Sequence, residues 1–187
     1  TPEIQCLDYL GSLAARVRAV YAPGALFELV LTDSHALLNG HAPAALESYF
    51  SQVRREATQR GFPCHLLGAL TEAAAIDPAS IDETVPDEAI SLLTHSAKRW
   101  YRGEGSALEG AARYYKLNMI EKQVMERAFP DSIFVTFNGS EQRDLFPDGL
   151  PIFYMYSTKR GTAVKPWFQD AGDALARKPE NIQAVPA

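Results

Sequence analysis

Apolar residues at Ile4, Leu7, Leu10, Ala14, Val17 and Tyr21 recur at helical intervals, so the spacing predicts an amphipathic helix over residues 4–20. Ala22-Pro23-Gly24 breaks it. The unbroken run Leu26–Leu31 then reads as a buried strand, followed by a polar loop through Asp33-Ser34-His35 to Asn39-Gly40-His41. A second helix is predicted from Pro43 to Arg60, with Leu46, Tyr49, Phe50, Val53 and Ala57 as its buried stripe. Pro43 suits a first helical turn and Gly61 a helix end. Cys64–Leu70 is the next strand candidate. Residues 71–86 are the least regular part and read as a surface loop, with a lid over a ligand as the alternative.

Ile90, Leu93, Ala97 and Trp100 predict a helix from Pro86 to Tyr101, broken by Arg102-Gly103-Glu104-Gly105. Ser106, with Glu109 three residues later, forms a capping-box pattern at the head of a helix running to Ala128. Leu108, Ala112, Tyr115, Met119 and Ile120 are its apolar side. Two strands follow, Ser132–Phe137 and Pro151–Tyr156. The opening order helix-strand-helix-strand predicts an α/β class: a Rossmann-like, open, mostly parallel sheet flanked by helices. Residues 1–178 are expected to form a single domain, with 179–187 as a frayed tail.

Composition narrows the partners more than the fold. Lys+Arg 18 against Asp+Glu 23 gives a net charge of −5, which offers no global attraction to nucleic acid or anionic lipid. No stretch nears the roughly 20 apolar residues of a membrane span, and no signal-peptide pattern opens the chain, so a cytoplasmic setting is expected. Cys6 and Cys64 are too few and too far apart for a disulfide framework and read as thiols. Nucleotide fingerprints of the GxGxxG and GxxxxGK[ST] kinds are absent, as are HExxH and Cys/His metal spacings, so neither a cofactor nor a metal is expected.

Ligands in open parallel sheets sit beyond the carboxyl ends of strands, which is where Asp33, Ser34 and His35 fall. A histidine there can move protons near neutral pH, and an aspartate can orient it or balance its charge. The structural alternative is an Asx-type turn with a half-exposed imidazole. A Ser-His-Asp triad is rejected, because Ser34 has no GxSxG elbow. Basic residues gather in two places. Arg113 and Lys116 share a helix face, with Lys122 further along, and Lys159-Arg160 precede Gly161 in a late loop. Each group could hold phosphate or carboxylate. The plain alternative is a solvated face, in which Glu109 pairs with Arg113 and Glu126 with Lys122.

Three stretches together resemble the isocyanide synthase family of pyoverdine and dityrosine biosynthesis. The first is Tyr21-Ala22-Pro23-Gly24, then a strand, then Asp33-Ser34-His35 with Leu38, Gly40 and the later aromatic Tyr49. The second is Glu126-Arg127-Ala128-Phe129-Pro130-Asp131 leading into Ile133–Phe137. The third runs from Gly161-Thr162 to Pro166-Trp167-Phe168. Ser34 stands where the family pattern has Gly, and the chain is similar to a short, divergent member. The resemblance implies conversion of the amino group of tyrosine or tryptophan to an isonitrile, with ribulose 5-phosphate as carbon donor and no metal. A downstream iron/2-oxoglutarate oxygenase is an implied partner. His35 would be the acid/base and Asp33 its orienter or the amine's partner. Ser34, Arg113, Lys116, Lys122, Lys159 and Arg160 are then assigned to substrate, the basic residues on charge and position alone. Two other readings stay open: an α/β transferase such as a tRNA-dependent cyclodipeptide synthase, and a non-catalytic small-molecule-binding relative.

Overall fold

The computed structural model describes residues 1–76, 84–137, 152–155, 157–159 and 162–168. Helix α1 (Pro2–Val20) starts where Thr1 Oγ1 accepts from the Ile4 amide, and it buries Leu7 and Leu10. Strand β1 (Leu29–Leu31) leads directly into α2 (Asp33–Leu38), and α3 (Pro43–Gln59) follows with Pro43 in its first turn. Strand β2 (Cys64–Leu66) passes without a gap into α4 (Leu67–Ala74). Helices α5 (Asp87–Trp100) and α6 (Ala107–Ala128) make an extensively packed pair. At the head of α6 both halves of the capping box form: Ser106 Oγ accepts from the Glu109 amide, and the Glu109 carboxylate accepts from the Ser106 amide at 2.6 Å.

Two hydrophobic clusters lie on opposite sides of the β1–β2 pair. Leu29 and Cys64 pack against Leu7, Leu10, Ala57 and Phe62 beneath α1 and α3. The neighbouring Val30 packs against Leu67, Ile76 and Val124, beneath α4 and α6. Successive strand residues point to opposite faces, so one short strand serves both clusters. Leu67 and Val124 have no exposed surface. Burying a side chain of the size of Leu67 contributes roughly 2–3 kcal/mol.

The expected Rossmann-like open sheet is not formed. Among the described residues the strands make three separate two-stranded sheets: β1 with β2 in parallel, β3 (Phe134–Thr136) with β4 (Ile152–Tyr154) in parallel, and β5 (Ser157–Lys159) with β6 (Thr162–Val164) antiparallel. Helices dominate. Each strand has three residues, which leaves room for few ladder hydrogen bonds and no continuous sheet. The apolar run predicted as one strand over 64–70 turns helical at Leu67, because that lets Leu67 and Leu70 reach the second cluster. Leu108, predicted to be on the apolar side of its helix, is 54% exposed, and Gly110, Ala111 and Val124 carry the buried face instead. Residues 77–83, the centre of the expected loop or lid, and the tail 179–187 lie outside the described residues.

The segment read as a polar loop after β1 is also helical. At six residues, α2 is too short to stand alone in water, so its contacts with α3, α4 and α6 must hold it. Its far end closes in a Schellman arrangement: Gly40 N–H donates to Leu37 O at 2.9 Å and His41 N–H to Ala36 O at 3.2 Å. Gly40 sits at φ +83°, and a Cβ there would lie 2.5 Å from the Arg102 carbonyl oxygen. Gly103 returns the approach, since its Cβ would lie 2.5 Å from the Leu38 carbonyl oxygen. Two glycines therefore let the end of α2 press against the loop between α5 and α6.

Candidate active site

Helix α2 presents Asp33, Ser34 and His35 in its first turn, and their roles diverge. Asp33 Oδ1 accepts from the Gly68 amide at 2.9 Å. Gly68 is the second residue of α4, whose N-cap Leu66 supplies no side-chain hydrogen bond. The Asp33 carboxylate therefore caps a neighbouring helix, where its charge also meets the positive end of the helix dipole. Ser34, half-buried, sits by the same amide: its Oγ would be 3.6 Å from a Cβ on Gly68.

His35 points to α6. Its Nε2 lies 2.8 Å from Glu121 Oε2, and the two side chains are 14% and 26% exposed. The imidazole edge also meets the Tyr114 ring, with centroids 5.4 Å apart and planes at 67°. Burial pushes the Tyr114 phenol above its ordinary pKa; the hydrogen bond with Asn118 opposes this, and the Glu121 carboxylate adds to the rise. With Nε2–H donating to the carboxylate, a neutral imidazole keeps Nδ1 as a proton acceptor. A carboxylate-held histidine beside a phenol that stays protonated is equipped for general acid/base work.

Two adjoining cavities lie along α6. The inner one, of about 180 Å³, is lined by Asn39, Leu93, Ser96, Ala97, Tyr101, Gly110, Ala111 and Tyr114. Tyr114 connects it to His35. The outer cleft, of about 490 Å³, lies between the segment from Leu37 to Pro43 and the loop from Tyr101 to Glu104, with Arg113 on its α6 side. Tyr101 lines both cavities. Its hydroxyl donates to Glu104 O at 2.6 Å, and Arg113 Nη1 donates to Glu104 O at 3.2 Å and to the Tyr101 hydroxyl at 3.4 Å. Arg113 thus braces the loop that separates the cavities.

The structure brings His35 against α6 through Glu121 and Tyr114. Arg113 reaches the outer cleft, whereas Lys116 and Lys122 are half-buried on α6 and line neither cavity. Lys159 is described only as backbone in β5, and Arg160 lies outside the described residues. Glu121 was missed by the sequence reading. Its one available signal was its place two helical turns after Tyr114, on the same face. Arg102 was read only as part of a helix-breaking motif. His65 bonds to Glu28 at 2.9 Å and meets the Phe129 ring edge, a satisfied rim histidine. Both cysteines are free thiols. Among the described residues no three His, Cys, Asp or Glu side chains gather as a metal site would need, and no helix is long and apolar enough to cross a membrane.

No protein-family model and no curated protein matches the sequence. Among solved structures, the fold is similar to that of the PvcA protein from Pseudomonas aeruginosa. The TM-score is 0.56 at 16% identity, and the match covers 87% of this chain and 76% of PvcA. At that identity the likeness speaks to the fold.

Proposed function

We propose that this chain is an isocyanide-forming enzyme acting on the amino group of tyrosine or tryptophan, with ribulose 5-phosphate as the carbon donor. The observation that carries the reading is the fold likeness to PvcA, an isocyanide synthase of pyoverdine-type biosynthesis. The three stretches that resemble the same family support it independently. In this reading His35 moves protons as the amine condenses with the sugar ketone and as the later bonds break. Glu121 holds its imidazole, in place of the Asp33 expected from the sequence. Asp33 secures α2 against α4, and the inner cavity beside Tyr114 receives the reacting end of the substrates. Ser34 keeps its assignment to the substrate side, as does Arg113, the basic residue of α6 that lines the outer cleft.

The test is incubation with ribulose 5-phosphate and either L-tyrosine or L-tryptophan, with an isonitrile trapped by a tetrazine and detected by mass. The trapped adduct is the expected result. Its absence from folded protein, with an authentic synthase reacting in parallel, would overturn the reading in favour of a different substrate or a binding role.

A further inference from the structure

We infer that the outer cleft between the end of α2 and the loop from Tyr101 to Glu104 is a subsite for a phosphomonoester dianion. The assignment rests on the reading above only for the sugar that carries the phosphate. Two guanidiniums, Arg102 and Arg113, line the cleft against one carboxylate, Glu104. His41 adds a ring N–H donor from the opposite wall. Arg113 Nη1 donates to Glu104 O and the Tyr101 hydroxyl, with the Glu109 carboxylate beside it, and Arg102 Nη1 donates to Tyr101 O, so both guanidiniums are held at the loop. Such a planar, braced fork suits the tetrahedral oxygens of phosphate.

The backbone contributes as well. At the Gly40–Gly103 crossing two chain segments meet without side chains between them, which fixes the end of α2 against the loop as the two walls of the cleft. Ala42 and Pro43 in the cleft wall are the amino end of α3, which no side chain caps, and its dipole adds to the guanidinium field. The donors thus come from three parts of the chain. A volume of about 490 Å³ holds a sugar phosphate with space to spare. Tyr101 lines this cleft and the inner cavity, so a phosphate fixed here would point the rest of the molecule past Tyr101 toward Tyr114 and His35.

The test is isothermal titration calorimetry of the full chain at fixed ionic strength. The probes are ribulose 5-phosphate, ribose 5-phosphate, inorganic phosphate and unphosphorylated ribulose. The wild type should bind the three phosphates and not the free sugar. Arg102→Gln should weaken phosphate binding at least tenfold with unchanged thermal unfolding, because Arg102 is exposed. Arg113→Lys should weaken it while keeping the charge. Arg55→Gln, about 18 Å along α3 from Pro43, should bind like the wild type. Wild-type affinity in folded Arg102→Gln, equal binding of the free sugar, or no heat from any phosphate would each overturn the subsite. Phosphate-dependent binding without isonitrile product would keep the subsite and sink the proposed reaction. Isonitrile production indifferent to Arg102→Gln would do the reverse.

Discussion

His35 Nε2 and Glu121 Oε2 lie 2.8 Å apart across 86 residues of sequence, and this contact pins the first turn of α2 to the middle of α6. If the pair serves proton transfer, its two halves should fail differently. His35→Ala should lower kcat by about 100-fold or more, the usual scale for a lost acid/base group. Glu121→Gln keeps an acceptor for the imidazole and removes the charge, so kcat should fall about tenfold with KM little changed. Steady-state kinetics beside thermal unfolding separate this from a structural tie. A large drop in melting temperature with kcat preserved would make the pair a brace.

Asp33 calls for the opposite signature. Its carboxylate accepts from the Gly68 amide and caps α4, so Asp33→Ala should cost about 1 kcal/mol of stability, the common scale for a lost helix cap. Asp33→Asn, which keeps the accepting oxygen, should cost less. Urea unfolding measures both. If instead Asp33→Asn were as stable as wild type and inactive, the carboxylate would be acting on substrate.

The contrast between these two residues shows where sequence reading stops. α1, α3, α5 and α6 were legible because their apolar residues recur over about three or more turns, and because Pro43, Gly61 and the Ser106–Glu109 box mark their ends. α2 was not, because six residues opening with Asp-Ser-His carry turn chemistry and no periodicity. The run from Cys64 to Leu70 was ambiguous for the same reason, since a short apolar stretch fits strand and helix equally. The open sheet failed as an expectation because pairing extent is a tertiary property: three-residue strands look like longer ones until their partners are known. His35 and Asp33 could be singled out from the sequence as candidates, but the partners they meet, Glu121 and Gly68, lie 86 and 35 residues away, where no local pattern reaches.

The Gly40–Gly103 crossing should tolerate no side chain. Gly40→Ala would put a methyl 2.5 Å from the Arg102 carbonyl oxygen at φ +83°. Gly103→Ala would meet both the Leu38 carbonyl oxygen and the Tyr101 ring. Each should destabilise by about 1–3 kcal/mol, read from urea midpoints. Gly61→Ala is the control, because it shares a positive φ but has open space around a Cβ. It should cost less than either. Equal losses at all three positions would mean that backbone conformation alone sets the cost and that the crossing is not tight.

Cys6 gives a pH-dependent prediction whose sign can be worked out. Burial pushes its thiol up to about 11, with Lys165 working against the rise and Glu3 adding to it. In the unfolded chain it should titrate near 8.5. A folded pKa above the unfolded one means that the unfolded state loses its proton first. This contribution to stability is complete below roughly pH 8.5 and is lost as pH rises through about 11. The thiolate fraction at pH 8 is then lower in the native state by roughly two orders of magnitude, and alkylation should slow in proportion. Iodoacetamide labelling read at the Cys6 peptide by mass, in native buffer and in urea, measures the ratio. Similar rates in both would show that Cys6 is not shielded beneath α1, and the packing of the first cluster around it would have to be redrawn.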